Sequence, residues 1–322
     1  MAVLGIDLGG TKLSMAIFTE KGGILRKEMF ALGNLGGHEV GGLITDQIGA
    51  LLYSSELQGN IINSIGVSVP GISHSKSGTV WAPNIPGWDD YPLLHEVKKV
   101  SGEIPVTIDS DRACYILGEL WQGNARGCRD AIFLAVGTGI GAGILVNGEV
   151  LRGSHDIAGA IGWLALNRPF IDEYISCGCF EHHASGEGIA KVARVFLKNE
   201  KDYTGELKNK DIEKITSFDV FIAYENDDPL GVRVIKQCIE FWGMAVANLV
   251  SLFNPEKIII GGGVFGPGIP LITDIKKEAV KWAQPVSINQ VSIEPSGLTG
   301  DAGVYGAGFL ALKNLPEFNL SK

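Results

Sequence analysis

The stretch that decides the fold lies at residues 4–12 and reads Leu-Gly-Ile-Asp-Leu-Gly-Gly-Thr-Lys. Apolar runs at 2–6 and 13–18, which flank the polar and Gly-rich residues from Asp7 to Lys12, predict two buried strands joined by a Gly-rich turn. Backbone N–H groups at such a turn can bind phosphate, because glycine lets a phosphate approach the backbone closely. The stretch therefore predicts either a phosphate-binding hairpin or a tight hairpin whose glycines serve turn geometry alone.

The polar residues of this turn have the chemistry that a nucleotide needs. Asp7 supplies a carboxylate that can hold Mg²⁺, directly or through water. The side chains of Thr11 and Lys12 can donate hydrogen bonds to phosphate oxygens. We expect the backbone N–H groups of Gly9 and Gly10 to face the same phosphates.

Composition argues against several classes of protein. The chain has 322 residues, 45% of them hydrophobic, which is enough for a packed core and more than one domain. Its net charge is -9 without a Lys/Arg-rich run, so we expect no nucleic-acid or anionic-membrane partner. No apolar stretch approaches the ~20 residues of a membrane span, and the N-terminus lacks the pattern of a secretory signal. Five cysteines, an odd and small number, favour a reducing compartment and hence a cytoplasmic protein.

The opening pattern occurs a second time in the chain. A predicted strand at 130–136 precedes Gly-Thr-Gly-Ile-Gly-Ala-Gly at 137–143, and an apolar run returns at 144–146. We expect Gly137, Thr138 and Gly139 to meet phosphate oxygens through backbone N–H groups and the hydroxyl.

A third Gly-rich turn follows a late predicted strand at 257–260. Gly261, Gly262 and Gly263 end that strand, and we expect them to flank the adenosine of a nucleotide. The alternative is that a Gly triplet at a strand end is merely a turn signal.

The remaining pattern predicts an α/β protein. Predicted strands lie at 2–7, 12–19, 24–31, 65–69, 105–108, 130–136, 144–146 and 257–260, and predicted helices at 38–56, 91–101, 112–123, within 184–250, and at 300–314. Two α/β halves that each open with a hairpin suggest two like domains around a cleft, where closure can exclude water from a reactive phosphate. We place the first domain at 1–117 plus about 304–322 and the second domain at 118–303.

The three Gly-rich turns occur in the order used by sugar kinases of the actin/hexokinase/Hsp70 superfamily, and the chain more closely resembles the ROK family of repressors, open reading frames and kinases. The segments that carry this resemblance are Val69-Pro70-Gly71, Ala82-Pro83-Asn84-Ile85-Pro86-Gly87-Trp88, Gly178-Cys179-Phe180-Glu181 and Ala184-Ser185-Gly186. The resemblance covers residues 3–312. It implies two ribonuclease H-like (actin-like ATPase) domains around a nucleotide and sugar cleft, ATP and Mg²⁺ as cofactors, a sugar substrate and a homo-oligomer. ROK repressors carry an N-terminal DNA-binding domain, for which a phosphate turn starting at residue 7 leaves no room, so we expect the kinase branch.

Asp111 is the candidate catalytic base. It follows the predicted strand at 105–108, where an open α/β sheet presents groups to a cleft, and the resemblance gives the matching Asp this role. Such a carboxylate accepts a hydrogen bond from the sugar hydroxyl, orients it and takes its proton. Asp109 is a candidate second acceptor. The alternative is that Asp111 caps the helix beginning at Arg112.

The resemblance also implies the sugar contacts, and here the chain departs from the family. Asn84 and Glu181 match sugar-binding positions. The family's Asn-Asp-Ala-Asn is Ser110-Asp111-Arg112-Ala113, so the base is kept and both asparagines are lost. Ser110 can replace one of the hydrogen bonds of an amide, but not both.

A second departure concerns the family's Gly-Glu-x-Gly-His, which reads Gly-Ala-Ile-Gly-Trp at 159–163. Ala160 and Trp163 cannot replace the Glu and His that bind sugar hydroxyls in the family. Trp163 either stacks on a sugar ring or is simply a core tryptophan.

The zinc site of the family is a third departure. Its Cys-x-Cys-Gly-x-x-Gly-Cys, aligned on Cys179, has Asp172 and Tyr174 at the two earlier cysteine positions, so we expect no structural zinc. A crowded set of side chains could form a new metal site, although the spacing matches no standard zinc module: Cys177, Cys179, His182 and His183. The alternative is ordinary buried thiols and a hydrogen-bonded histidine pair.

These features predict ATP-dependent phosphorylation of a hexose or hexose derivative. Glucose is the family's default acceptor, and the changes at Ala160 and Trp163 make another hexose or an N-acyl amino sugar a comparable candidate. The alternative is a non-catalytic ROK-like protein that senses a sugar, which accounts for the missing Asn, Glu and His. Retention of Asp7, Asp111 and both phosphate turns favours the kinase, because a sensor needs no base.

Overall fold

The computed structural model describes residues 1–57, 59–200 and 202–316. The strands are, in chain order, β1 (Ala2–Leu8), β2 (Lys12–Thr19), β3 (Ile24–Ala31), β4 (Ile62–Val69), β5 (Ile72–His74), β6 (Thr79–Trp81), β7 (Val106–Ser110), β8 (Ala131–Val136), β9 (Ile140–Val146), β10 (Glu149–Val150), β11 (Lys257–Gly261) and β12 (Ser292–Pro295). The α-helices are α1 (Gly37–Leu57), α2 (Leu93–Ser101), α3 (Asp111–Gln122), α4 (Tyr174–Cys177), α5 (Cys179–Ala184), α6 (Gly186–Asn199), α7 (Ser217–Glu225), α8 (Pro229–Phe253), α9 (Ile272–Val280), α10 (Ser287–Gln290) and α11 (Ala302–Lys313).

The chain divides into two compact units. Unit 1 comprises residues 1–127, 150–158 and the part from 297 onward, and unit 2 comprises 128–149 and 159–296. The sequence instead places the boundary at 117/118, inside α3. The whole of α3 belongs to unit 1 because it packs closely along α11, where a Cβ at Gly118 or Gly306 would collide with the facing backbone. The domain limits stay a prediction, and its residues 317–322 lie outside the described part.

The sheet of unit 1 has the order β3-β2-β1-β4-β7. The pairs β1–β2 and β2–β3 are antiparallel, whereas β1–β4 and β4–β7 are parallel. The register aligns Asp7 of β1 with Ser68 of β4, and Ser68 with Asp109 of β7. Three polar side chains therefore stand side by side where three parallel strands end.

Alternation along β1 assigns its two faces to different layers. Leu4 and Ile6 are buried in a core that also contains residues of α1 and α2. Gly5 faces α11, and a Cβ at Gly5 or at Gly66 of β4 would collide with the backbone of that helix. The small residues of sheet and helix thus let α11 approach the strand that carries Asp7.

The sheet of unit 2 repeats this arrangement in the order β10-β9-β8-β11-β12. The β8–β9 pair is antiparallel, and β8–β11 and β11–β12 are parallel. Its core is built largely around α8, in which Trp242 is fully buried. The predicted fold class, two ribonuclease H-like α/β units that each open with a hairpin, is confirmed. Within the described part of the chain, we find no helix with the length and apolarity needed to cross a membrane.

Candidate active site

Asp7 is held at the carboxyl end of β1 in unit 1. Its Oδ1 accepts a hydrogen bond from Ser68 Oγ at 2.7 Å. The carboxylate lies against the first turn of α11, where a Cβ at Gly303 would collide with it. Burial raises the pKa of Asp7, while the Ser68 hydrogen bond and the charge of Lys12 oppose that rise. A half-buried carboxylate is a hard oxygen donor of the type that Mg²⁺ prefers, so the side chain of Asp7 fits this cation.

The turn after β1 exposes Gly10, Thr11 and Lys12. The Gly9 N–H closes it by donating to the Lys12 carbonyl at 2.9 Å. Neither Gly9 nor Gly10 is among the residues with positive φ, and an added Cβ would meet its nearest neighbour at 3.5 Å and 3.8 Å respectively. Because turn geometry alone does not require these glycines, the structure favours the phosphate role over the simple hairpin.

Asn84 lies beside this turn. The Cβ that Gly10 lacks would come 3.8 Å from the Asn84 Cβ. The loop that carries Asn84 is built around Trp88, which is buried and donates its Nε1–H to the Gly37 carbonyl at 2.9 Å. Asn84 itself is exposed, so its amide is accessible to a ligand.

Helix α3 begins at Asp111, one residue before the predicted start at Arg112. Ser110 is the N-cap, and its Oγ accepts a hydrogen bond from the Ala113 N–H at 3.4 Å. Asp111 is therefore the first residue of the helix and not its cap, so the capping alternative for Asp111 is wrong. The Ser110 hydroxyl, predicted as a sugar contact, serves the helix end in this structure.

The surroundings of Asp111 make it a stronger base than an ordinary aspartate. Its Oδ1 accepts a hydrogen bond from the Arg112 N–H at 2.7 Å. Burial, together with the nearby charge of Asp7, raises the pKa of Asp111 to about 6, although Arg112 and a hydrogen bond from Tyr115 act in the opposite direction. A carboxyl group with this pKa is ionised at neutral pH and still takes a proton readily.

Sequence reasoning missed Arg152. Asp109 is only 7% exposed, and its Oδ2 accepts hydrogen bonds from Arg152 Nε at 2.9 Å and Nη2 at 2.6 Å. Its Oδ1 accepts a further bond from the Ser110 N–H at 2.8 Å. Asp109 is thus paired, which argues against its expected use as a free second acceptor. No motif spacing links residues 43 apart in sequence, so the pattern held no signal for this pair.

In unit 2 the β8–β9 turn is braced by the start of α6. The Gly137 N–H donates to the Gly139 carbonyl at 2.9 Å, and the Gly186 N–H donates to the Gly137 carbonyl at 2.8 Å. Thr138 is exposed at the tip. The positive end of this 14-residue helix therefore adjoins the predicted phosphate turn, which favours binding of an anion there.

Glu181 also supports this turn. Its Oε2 accepts a hydrogen bond from the Ile140 N–H at 2.6 Å, and burial raises its pKa. A Cβ at Gly139 would come within 2.7 Å of the same oxygen, so the carboxylate and the glycine are closely fitted. The residue predicted to bind sugar thus also holds the turn predicted to bind phosphate.

Trp163 lies in a 3₁₀ turn at 161–163 of unit 2. Its side chain is 56% exposed, so the core-tryptophan alternative is wrong. An indole face that is open to solvent is available for stacking on a sugar ring.

The Gly triplet at the end of β11 has mixed causes. A Cβ at Gly261 would come 2.5 Å from the Phe133 ring. Gly262 has a φ of +97°, and a Cβ there would collide with the backbone of Val136. Packing and turn geometry therefore account for these two glycines. Nothing lies within 4 Å of a Cβ at Gly263, so its fit to adenosine stays a prediction.

The cysteine and histidine cluster forms a hydrogen-bonded network. Tyr174 Oη lies 2.8 Å from His183 Nε2, and Gln237 Nε2 lies 3.3 Å from His183 Nδ1. Burial and neighbouring His182 lower the pKa of His183 to about 4, so it is neutral at pH 7. Among the residues that the structure describes, no three His, Cys, Asp or Glu side chains come together as metal ligands. The donors present do not fit the tetrahedral zinc of the family.

We expect the purified protein to contain well under one zinc per chain. The reason is that both ring nitrogens of His183 already lie within hydrogen-bond distance of uncharged side chains, those of Tyr174 and Gln237. Elemental analysis after gel filtration measures the content, and a melting curve with and without EDTA measures its effect. We expect the same Tm in both. One tightly bound zinc per chain, or a Tm that drops with EDTA, would contradict this.

The two sheets of like order, each with a Gly-rich turn after its first strand, define an actin-like ATPase fold. The chain belongs to the ROK family, whose profile matches residues 3–314. It is 33% identical to a glucokinase of Halalkalibacterium halodurans over 95% of this chain and 94% of that protein. It is 29% identical to a xylose repressor of Caldicellulosiruptor bescii over 98% of this chain and 79% of that protein. The crystal structure of a Streptomyces griseus ROK glucokinase with glucose and AMPPNP matches with a TM-score of 0.77 at 27% identity, over 97% of this chain and all of that one.

Proposed function

We propose that this protein transfers the γ-phosphoryl group of ATP to a hydroxyl of a hexose or hexose derivative, with Asp111 as the base. An ATP-dependent sugar kinase is the enzyme class that its glucokinase relatives support. The observation that carries the proposal is the Asp111 carboxyl, whose pKa of about 6 and place after β7 suit proton abstraction.

The phosphate contacts are assigned to both units. In unit 1, Asp7 would hold Mg²⁺, directly or through water, and the turn at 9–12 would donate to phosphate oxygens. In unit 2, the turn at 137–139 and the start of α6 provide N–H groups for phosphate, and the Gly triplet at 261–263 would flank adenosine. A Mg²⁺ ion held by Asp7 would supply positive charge to offset the negative charge of the phosphates.

The acceptor contacts are assigned to Asn84, Ser110, Trp163 and Glu181. Asn84 and Glu181 offer polar groups to hydroxyls, and the exposed indole of Trp163 offers an apolar face to the sugar ring. Asp111 would accept a hydrogen bond from the attacking hydroxyl and take its proton as the new O–P bond forms, while the bond between the γ-phosphorus and the β–γ bridging oxygen breaks and ADP leaves. Glucose, another hexose and an N-acyl amino sugar are the candidate acceptors. A homo-oligomer is also proposed, on the family resemblance alone.

A sugar-sensing protein without catalysis is the second candidate. It is favoured by the similarity to a xylose repressor and by Ala160 and Trp163, which stand where the family has its Glu and His. It gives no reason for a half-buried aspartate whose pKa is raised, in part by the charge of Asp7, because ligand sensing needs no base.

A sugar panel separates the two candidates. The purified protein is incubated with Mg-ATP and single hexoses, N-acyl amino sugars and β-glucosides, and both ADP and the phosphorylated sugar are measured. We expect one class of sugar to give ADP and sugar phosphate in equal amounts. A protein that binds a panel sugar in calorimetry and phosphorylates none would exclude the kinase and support the sensor.

A further inference from the structure

We propose that Arg152 is a positioning residue that holds the turn carrying Asp111, by neutralising the buried carboxylate of Asp109. This inference rests on the proposed role of Asp111. The side-chain hydrogen bonds of Arg152 within the described residues go to Asp109 and to the Val150 carbonyl, so it acts through Asp109 and the backbone of Ser110.

Hydrogen bonds connect Arg152 to Ser110, the residue that precedes the candidate base. Arg152 donates twice to Oδ2 of Asp109, and Oδ1 of the same carboxylate accepts from the Ser110 N–H. Ser110 then caps α3, of which Asp111 is the first residue. The Asp109 carboxylate therefore holds the Asp109–Ser110 peptide, one peptide before Asp111, and with it the N-cap of the helix that Asp111 begins.

The charge of Arg152 is needed because Asp109 is almost fully buried. A buried carboxylate without a partner is strongly destabilising, and such a group either takes a proton or moves toward solvent. Either response changes the hydrogen bond to Ser110. A lysine cannot reproduce the pair, since both the Nε and Nη2 groups of the planar guanidinium bond one oxygen.

The segment that carries Arg152 is built for this task. Residues 150–158 belong to unit 1 although unit 2 residues precede and follow them. The Ala158 N–H donates to the Arg152 carbonyl at 3.1 Å, which closes the segment into a loop. At its far end, Asp156 Oδ2 accepts bonds from the N–H and Oγ of Ser75, both at 3.0 Å. The segment is thus bound to unit 1 at two places, at Ser75 through Asp156 and at Asp109 of the β7–α3 junction through Arg152.

The charge of Asp109 has a second consequence for Asp111. Unpaired, it would be a like charge two residues from the base and would raise its pKa. The other titratable or charged groups that interact with Asp111 are Asp7 of β1 and Arg112, Cys114 and Tyr115 of α3. None of them is altered by changing Arg152, so a shift in the titration of Asp111 reports the Asp109–Arg152 pair.

The test compares Arg152→Gln, Arg152→Lys and the double variant Arg152→Gln/Asp109→Asn. We expect Arg152→Gln to lower kcat by about 10- to 100-fold with the KM for ATP little changed, and Arg152→Lys to lie in between. The double variant should recover most of kcat, because an amide at 109 needs no cation. Asp156→Ala is the matched control, since it removes both hydrogen bonds to Ser75 at the other end of the segment, and it should keep kcat within about twofold.

A second readout does not depend on activity. NMR titration of the Asp111 carboxyl should show a pKa raised by about one unit in Arg152→Gln and restored in the double variant. Should wild type phosphorylate no sugar, the proposed function fails while this titration still tests the pair. Unchanged kcat and titration in Arg152→Gln, or a double variant as impaired as the single one, would overturn the inference. If Arg152→Gln does not fold, Arg152→Lys and the double variant give the same comparison.

Discussion

Asp111→Asn removes most of the phosphoryl transfer, with kcat expected to fall by about 10²–10⁴-fold, the usual contribution of a general base. The amide keeps the shape of the side chain and the hydrogen bond from the Arg112 N–H, but it cannot take a proton. The KM for ATP should change little, since Asp111 is not assigned to phosphate. Steady-state kinetics on the best panel sugar measures both values, and the exposed Asp46→Asn of α1 is the matched control. A variant with more than a tenth of wild-type kcat would contradict this role.

The dependence of kcat on pH, measured for wild type and Asp111→Asn, tests whether Asp111 acts in its ionised form. The base works in its ionised form, so wild-type kcat should fall below pH 6, by about tenfold per unit at lower pH, following the Asp111 pKa of about 6. The residual activity of Asp111→Asn should lack this limb. A wild-type profile that is flat from pH 5 to 7 would exclude Asp111 as the titrating base.

The substitution Asp111→Asn should raise the free energy of unfolding although it lowers kcat. Because the pKa of Asp111 is raised on folding, the folded protein binds the proton more tightly than the unfolded chain, and ionisation at pH 7 costs stability. That cost grows as pH rises from about 4 through 6. Asp111→Asn should therefore unfold at a higher Tm at pH 7, by about 1–2 kcal/mol in the free energy of unfolding, with the gain shrinking toward pH 4. Enzymes often keep an active-site group that destabilises the fold, because activity requires it.

The parts of the fold that local pattern controls could be predicted from sequence. Strands β1 to β3 follow from apolar runs and turn residues, and their observed bounds differ from the predicted ones by one residue at most. The repeated hairpin of unit 2 follows from the same pattern. The resemblance added the ribonuclease H-like fold of the two domains, which no single run of residues contains. The junction of β7 and α3 moved by one residue because both Ser110 and Asp111 are good caps and only the fold selects between them.

The parts of the site that depend on distant contacts could not be predicted. Arg152 reaches Asp109 across 43 residues, and Glu181 reaches Ile140 across 41. Helical and strand periodicity relate residues that are only a few positions apart, so no local pattern in the sequence marks either pair. The exposure of Trp163 also depends on tertiary packing, because a tryptophan between Gly162 and Leu164 suits both a core and a binding surface.

Asp7→Asn should lower kcat/KM for ATP by about the same factor by which Arg152→Gln lowers kcat. The amide keeps an oxygen for the hydrogen bond from Ser68 but loses the negative charge that would hold Mg²⁺. We expect kcat/KM for ATP to fall by about 10- to 100-fold, as for other changes close to a bound metal, and the Mg²⁺ concentration for half-maximal activity to rise. The KM for sugar should stay near its wild-type value. Mg²⁺ titrations of activity at fixed ATP, followed by ATP titrations at saturating Mg²⁺, separate these effects.

Ser68→Ala is the matched control for Asp7, because it removes the hydrogen bond and leaves the charge. The Ser68 bond lowers the pKa of Asp7, so its loss should raise that pKa further and make Mg²⁺ binding more sensitive to acid, with a smaller loss of activity at pH 8 than at pH 6. Asp7→Asn has no such pH dependence, since an amide does not titrate. If the two variants share one Mg²⁺ dependence with wild type, then Asp7 supports the β1 turn through its hydrogen bond alone and does not hold the cation.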